Sequence, residues 1–145
     1  MEDRFFRYWF KGFAEGLERI PARERGILLQ GCAEACSRSY TLGVYQEAWA
    51  KSATLEGFLK SLNAVFPELD YTLSEDHKTV TITYDHCACD LYTKGLIKSP
   101  RLCECSLRSI TYNWEAVMGE GNVDVEMKGS ILKGDTECVF AINLK

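Results

Sequence analysis

The chain has 145 residues, 46% apolar and 26% charged, which is typical of one folded globular domain with a continuous core. Its net charge is −4 and its basic residues are scattered, which argues against a nucleic-acid partner. No run approaches the roughly 20 apolar residues of a membrane span, and Arg7, Lys11 and Glu15 interrupt any signal-peptide core. We therefore predict a cytoplasmic protein with no membrane span.

Helical periodicity dominates the first half of the chain. A first helix should end at Pro21 and carry an aromatic stripe, which predicts a face that packs on the core, forms the seam of a homodimer or walls a pocket. The stripe consists of Phe6, Trp9, Phe10, Phe13, Leu17 and Ile20. A second helix is predicted over 22–39, with Leu28, Cys32, Ala35 and Cys36 on one side.

Two further helices are predicted, one over 42–52 and one over 54–66. The second of these ends before Pro67, because proline cannot continue a helix. Its apolar residues recur at three- and four-residue spacing, which indicates one buried face. They are Leu55, Phe58, Leu59, Leu62 and Phe66.

The periodicity then changes from helical to alternating. Apolar residues at 69, 71 and 73 and at 80, 82 and 84 flank the turn sequence SEDHK, which predicts a β-hairpin. A helix around Trp114 follows and should end at Gly119. Strands are then predicted over 123–127, 129–133 and 137–144. This order predicts an α+β fold in which helices cover one side of an antiparallel sheet made of the hairpin and a three-strand meander.

Two Cys-x-Cys pairs, Cys87/Cys89 and Cys103/Cys105, flank a short segment that contains one Gly and one Pro. Seven cysteines, an odd number, in a reducing compartment argue against a disulfide framework. In extended backbone, residues i and i+2 share a face, so each pair predicts two thiols on one side. Structural or pocket-lining thiols, a metal site and a reactive thiol all stay open.

The metal hypothesis uses Cys87, Cys89, Cys103 and Cys105, with His86 as a further donor. Zinc would be the metal, because thiolates and imidazoles are its usual ligands, at about 2.0–2.3 Å. Cys-x-Cys is a less typical zinc motif than Cys-x-x-Cys, so the spacing indicates zinc only moderately.

The reactive hypothesis predicts Cys105 or Cys103 as a nucleophile and His86 as its general base. The next helix is predicted to begin near Ser106, directly after both thiols. Its N-terminal dipole and the nearby Arg101 and Arg108 would lower a thiol pKa and favour the thiolate.

The segment 102–144, LCECSLRSITYNWEAVMGEGNVDVEMKGSILKGDTECVFAINL, resembles the C-terminal half of the 4-vinyl-reductase-like domains. That half is shared with the L-2-amino-thiazoline-4-carboxylic acid hydrolase-like proteins. The residues that carry the resemblance are Glu126, Gly134, Asp135, Cys138 and Phe140. Ser130 stands where the 4-vinyl-reductase-like domains commonly have a cysteine, which favours the hydrolase-like branch.

The resemblance implies an α+β domain, often dimeric, that binds small hydrophobic molecules between helices and sheet. We expect an apolar pocket lined by Phe58, Leu62 and Trp114, with the cysteine pairs at its rim. The predicted function is a ligand-binding or sensor domain for a small hydrophobic molecule. The alternative that the resemblance implies is a thiol-dependent hydrolase that opens a sulfur-containing ring.

Overall fold

The computed structural model describes residues 2–87 and 89–145, which form an α+β fold. The helices are α1 (Glu2–Arg19), α2 (Ala22–Ser39), α3 (Thr41–Lys51), α4 (Leu55–Val65), α5 (Asp90–Thr93) and α6 (Leu102–Met118). The strands are β1 (Leu69–Leu73), β2 (Thr79–Tyr84), β3 (Val123–Gly129) and β4 (Cys138–Leu144). Helices at the N-terminus precede an antiparallel sheet, which confirms the predicted fold class.

The described strands form one four-stranded antiparallel sheet in the order β1-β2-β4-β3. The predicted hairpin is β1–β2, with Tyr71 opposite Ile82. The strand predicted over 129–133 is wrong: β3 ends at Gly129, and a 3₁₀ turn spans Ile131–Lys133. Gly134 closes this turn at φ 105°, a left-handed conformation that favours glycine, so the chain reverses there instead of extending.

One face of the sheet is apolar and the other is polar. On β2, Val80 and Ile82 are fully buried, whereas the intervening Thr81 is half-buried. On β4, Phe140 and Ile142 point to the same buried side as their partners Ile82 and Val80. The helices therefore cover one side of the sheet, as the alternation predicts.

An aromatic cluster fills the space between the helices and the sheet. Trp114 of α6 and Phe58 of α4 have ring centroids 5.4 Å apart, and Tyr45 of α3 lies 5.8 Å from Trp114, all in edge-to-face contact. All three side chains are buried. Such contacts favour a densely packed interior at this position.

The orientation of α2 differs from the predicted one. Its buried residues are Arg25, Leu29, Ala33 and Ser37, one per turn, and Leu28, Cys32, Ala35 and Cys36 are exposed. Two polar residues can face the core because each has partners there. The guanidinium of Arg25 donates to Glu104 Oε2 at 2.8 Å, and Ser37 Oγ lies 2.6 Å from Ser109 Oγ.

α1 is anchored mainly at its C-terminal end. Leu17 is buried, and Glu18 accepts hydrogen bonds from Ser99 and Arg101. Phe10 and Phe13 of the predicted stripe are half-buried, and Phe6 and Trp9 are exposed. Over the described residues, none of the helices combines the length and apolar character that crossing a membrane requires.

Candidate functional site

The second Cys-x-Cys pair lies in the first turn of α6, and its two thiols point apart. Cys103 and Cys105 are inside the helix, which begins at Leu102 rather than near Ser106. Residues i and i+2 of a helix are about 200° apart, so the two thiols point in nearly opposite directions. The expectation that they share a face is therefore wrong.

Cys103 faces the sheet, on the side of Ser130 and Cys138. Its sulfur lies 3.0 Å from Ser130 Oγ, and the backbone N–H of Ile131 donates to Cys138 Sγ at 3.3 Å. Burial raises the pKa of Cys103, partly offset by the hydrogen bond with Ser130. Burial also raises the pKa of Cys87, and the charges of Cys89, Cys138 and Cys103 add to this effect.

Cys105 faces α2, close enough to Cys36 and Cys32 for their charges to act on its thiol. Burial, the largest cause, and the charges of Cys36, Cys32 and Cys89 together raise the pKa of Cys105 to about 12. The pKa of Cys36 is also raised, first by burial and then by Cys89.

The described residues do not fit the zinc hypothesis. In residues 2–87 and 89–145, no three His, Cys, Asp or Glu side chains come together closely enough to hold a metal ion. His86 Nδ1 lies 2.6 Å from Asp85 Oδ1, in an exposed position.

The reactive-thiol hypothesis gains no geometric support. The pKa values of Cys103 and Cys105 are raised, the opposite of what a thiolate nucleophile needs, because burial is the largest influence on both. Between described residues, no hydrogen bond joins His86 to either thiol. Catalysis by Cys103, Cys105 and His86 stays a prediction.

The three predicted pocket residues lie inside the aromatic core. Phe58, Leu62 and Trp114 each have 0% of their surface exposed. The indole Nε1 of Trp114 is a buried donor without a hydrogen-bond partner in the described part of the chain. A ligand could reach these residues only by displacing packed side chains. Their role as pocket lining stays a prediction.

A cleft of about 440 Å³ lies elsewhere, between α2, α6 and the edge strand β3. Its apolar contribution comes from Ala22, Leu107, Val123 and Val125. Its polar contribution comes from Gln30, Glu104, Arg108, Thr111, Tyr112, Glu115 and Asp124. It is thus amphipathic, and its volume is in the range of small-molecule sites.

Arg108 is the basic residue of this cleft, and Gly26 makes room for it. A Cβ at Gly26 would lie only 2.7 Å from the Arg108 Nη2 atom. Arg108 Nη1 donates to Gln30 Oε1 at 3.1 Å, and no ion pair with a carboxylate is found for it among the described residues. Glu104, by contrast, pairs with Arg25 and Arg101.

Sequence reasoning considered Arg108 only as a cation near the thiols. A half-buried arginine on a helix, one turn after Cys105, gives no periodic pattern that marks it as a cleft residue. The glycine that accommodates it is 82 positions away, at Gly26. Only the parallel course of α2 and α6 brings the two together.

Among solved structures, the fold is similar to that of a trafficking protein particle complex subunit 3 from Naegleria fowleri, crystallised covalently bound to palmitic acid. The alignment covers 99% of this chain and 95% of that one, with a TM-score of 0.52 and 15% identity. The two chains share a fold. At this identity the likeness shows nothing further. Comparison with known protein families finds no match, and comparison with curated proteins finds none.

Proposed function

We propose that this chain is a binding or sensor domain for a small amphipathic molecule with an anionic head group, and that the cleft between α2, α6 and β3 is its site. The observation that carries the proposal is Arg108, a half-buried guanidinium in the cleft for which no carboxylate partner is found among the described residues. A ligand carboxylate or phosphate is the group that such a guanidinium binds best.

The apolar part of the remaining lining favours a ligand with an apolar portion, next to polar residues that include Glu104, Glu115 and Asp124. Leu107, Val123 and Val125 offer apolar surface next to the charged group. The Naegleria subunit, which has a similar fold, was crystallised covalently bound to palmitic acid, a molecule with a long apolar tail. An alkyl carboxylate is therefore the first ligand class to test.

The decisive experiment compares dodecanoate with dodecanol and with butyrate by isothermal titration calorimetry, below the concentration at which dodecanoate forms micelles. We expect dodecanoate to bind most tightly, because only it offers both a charge and a tail. Arg108→Gln should weaken dodecanoate about 10- to 100-fold, the loss expected for charge-assisted hydrogen bonds, and leave dodecanol unchanged.

Two glycine variants provide a matched pair. Gly26→Ala places a methyl group only 2.7 Å from Arg108 Nη2 and should displace the guanidinium, whereas Gly31→Ala, on the same helix, meets nothing within 4 Å. Both substitutions raise helix propensity to the same extent, so this effect cancels in the comparison. Only Gly26→Ala should weaken dodecanoate binding, because only it displaces the guanidinium. Equal binding by wild type and Arg108→Gln, or no binding of any alkyl carboxylate, would overturn the proposal.

The thiol-dependent hydrolase stays the second prediction, without geometric support for its nucleophile. For location, we propose the cytoplasm, because all seven cysteines are free thiols and a reducing compartment maintains that state.

A further inference from the structure

α1 presents an aromatic surface that the rest of the chain does not cover. Phe5, Tyr8 and Trp9 are 63%, 67% and 54% exposed, and with Arg4 they line an open groove of about 540 Å³. The groove lies along α1 alone, apart from the ligand cleft. Exposed aromatic surface of this kind commonly marks an interaction site.

Two glycines on the same helix have no steric explanation within one copy of the chain. Gly12 and Gly16 are one turn apart in the interior of α1, where glycine is a poor helix former. A Cβ at either position would meet nothing within 4 Å. Close approach of another backbone is a common reason to keep glycine at such positions.

The aromatics and the glycines share one face of α1. Positions 5, 9, 12 and 16 follow the i, i+4, i+7, i+11 spacing that aligns residues along a helix. We propose that a second copy of this chain packs antiparallel on this face, with Trp9 of each copy over Gly12 of the other and Phe5 over Gly16. Both pairs are centred between residues 10 and 11, so a single two-fold axis generates all four contacts.

The charges beside this face are complementary in the same arrangement. Arg4 and Glu15 lie on one flank of α1, and neither forms an ion pair with another described residue. The two-fold axis places Arg4 of one copy about two residues, or roughly 3 Å along the helix axis, from Glu15 of the other. Arg4 now lies over the ring of Tyr8, 5.7 Å from its centroid, at the edge of the groove.

The test is sedimentation velocity of the full chain between about 1 and 100 µM. We expect a monomer–dimer equilibrium for the wild type. Gly12→Leu should weaken dimerisation at least tenfold, because the added side chain occupies the space of Trp9. Gly43→Leu is the matched control: Gly43 is an exposed helical glycine of α3 with nothing within 4 Å, so its dimer constant should match wild type.

A second set of variants separates association from folding. Gly12→Ala with Gly16→Ala should raise the helicity of α1 and yet weaken the dimer, an outcome that loss of folding cannot produce. Arg4→Glu and Glu15→Arg should each weaken the dimer several-fold, and the double variant should restore it. A wild type that stays monomeric at 100 µM, including one that instead binds lipid vesicles, would overturn the proposal. So would a dimer that Gly12→Leu leaves unchanged.

Discussion

Truncation of Leu62 tests whether the interior between helices and sheet is packed or hollow. Leu62 has 0% of its surface exposed and lies in the same core cluster as Phe58 and Trp114. Leu62→Ala removes three carbons, worth about 0.8 kcal/mol each in transfer free energy, and the void left behind adds more. We therefore expect the free energy of unfolding to fall by roughly 3–4 kcal/mol.

The assay is urea unfolding at a fixed protein concentration, followed by far-ultraviolet circular dichroism. Val65→Ala on the same helix is the control: Val65 is 44% exposed, so its truncation should cost less than about 0.5 kcal/mol. A loss below about 1 kcal/mol for Leu62→Ala, together with stabilisation of the wild type by apolar dyes, would refute the packed core. That result would restore the pocket predicted at Phe58, Leu62 and Trp114.

Two further predictions concern ionisation. During alkylation by iodoacetamide at pH 8, peptide mass mapping should show that exposed Cys32 is modified well before Cys103 and Cys105. The reason is that burial and raised pKa values suppress the thiolate form of Cys103 and Cys105. Equal alkylation rates for the three cysteines would contradict this prediction. Burial raises the pKa of Tyr45 from 10.0 to about 12, so between these pH values the unfolded chain loses a proton that the folded chain keeps. The free energy of unfolding should decline over that interval by up to roughly 3 kcal/mol from Tyr45, and Tyr45→Phe should make the decline shallower.

Alternation predicts the central strands because the sheet has one buried face. Val80 and Ile82 in β2 are separated by a threonine, and the strand partners Phe140 and Ile142 repeat the pattern. The sequence GSILK fails as a strand for a local reason. Ser130 N–H donates to Asp135 Oδ2 at 2.8 Å, and Asp135 N–H donates back to the Ser130 carbonyl at 3.0 Å. These bonds close a turn and leave no extended backbone for a ladder.

The cysteine pairs show why a motif depends on its secondary structure. Two thiols separated by one residue share a face in a strand but point apart in a helix, so the start of α6 decides the chemistry. The sequence places that start near Ser106, because the apolar period first becomes visible at Leu107. The backbone turns helical from Leu102, where the side chains of Leu102 and Cys103 are already buried.

Polar residues on packing faces are the part of this fold that hydrophobic periodicity cannot show. Arg25 is 8% exposed. Its Nη1 donates to the carbonyls of Leu17 and Ile20, at the C-terminal end of α1, and its Nε donates to Glu104 of α6. One guanidinium thus supplies partners for carbonyls at a helix end and for a carboxylate of the ligand cleft. Because these bonds orient the C-terminal end of α1, they also determine where its exposed aromatic half stands. The proposed dimer face and the proposed cleft therefore depend on the same buried charge, although they share no residue.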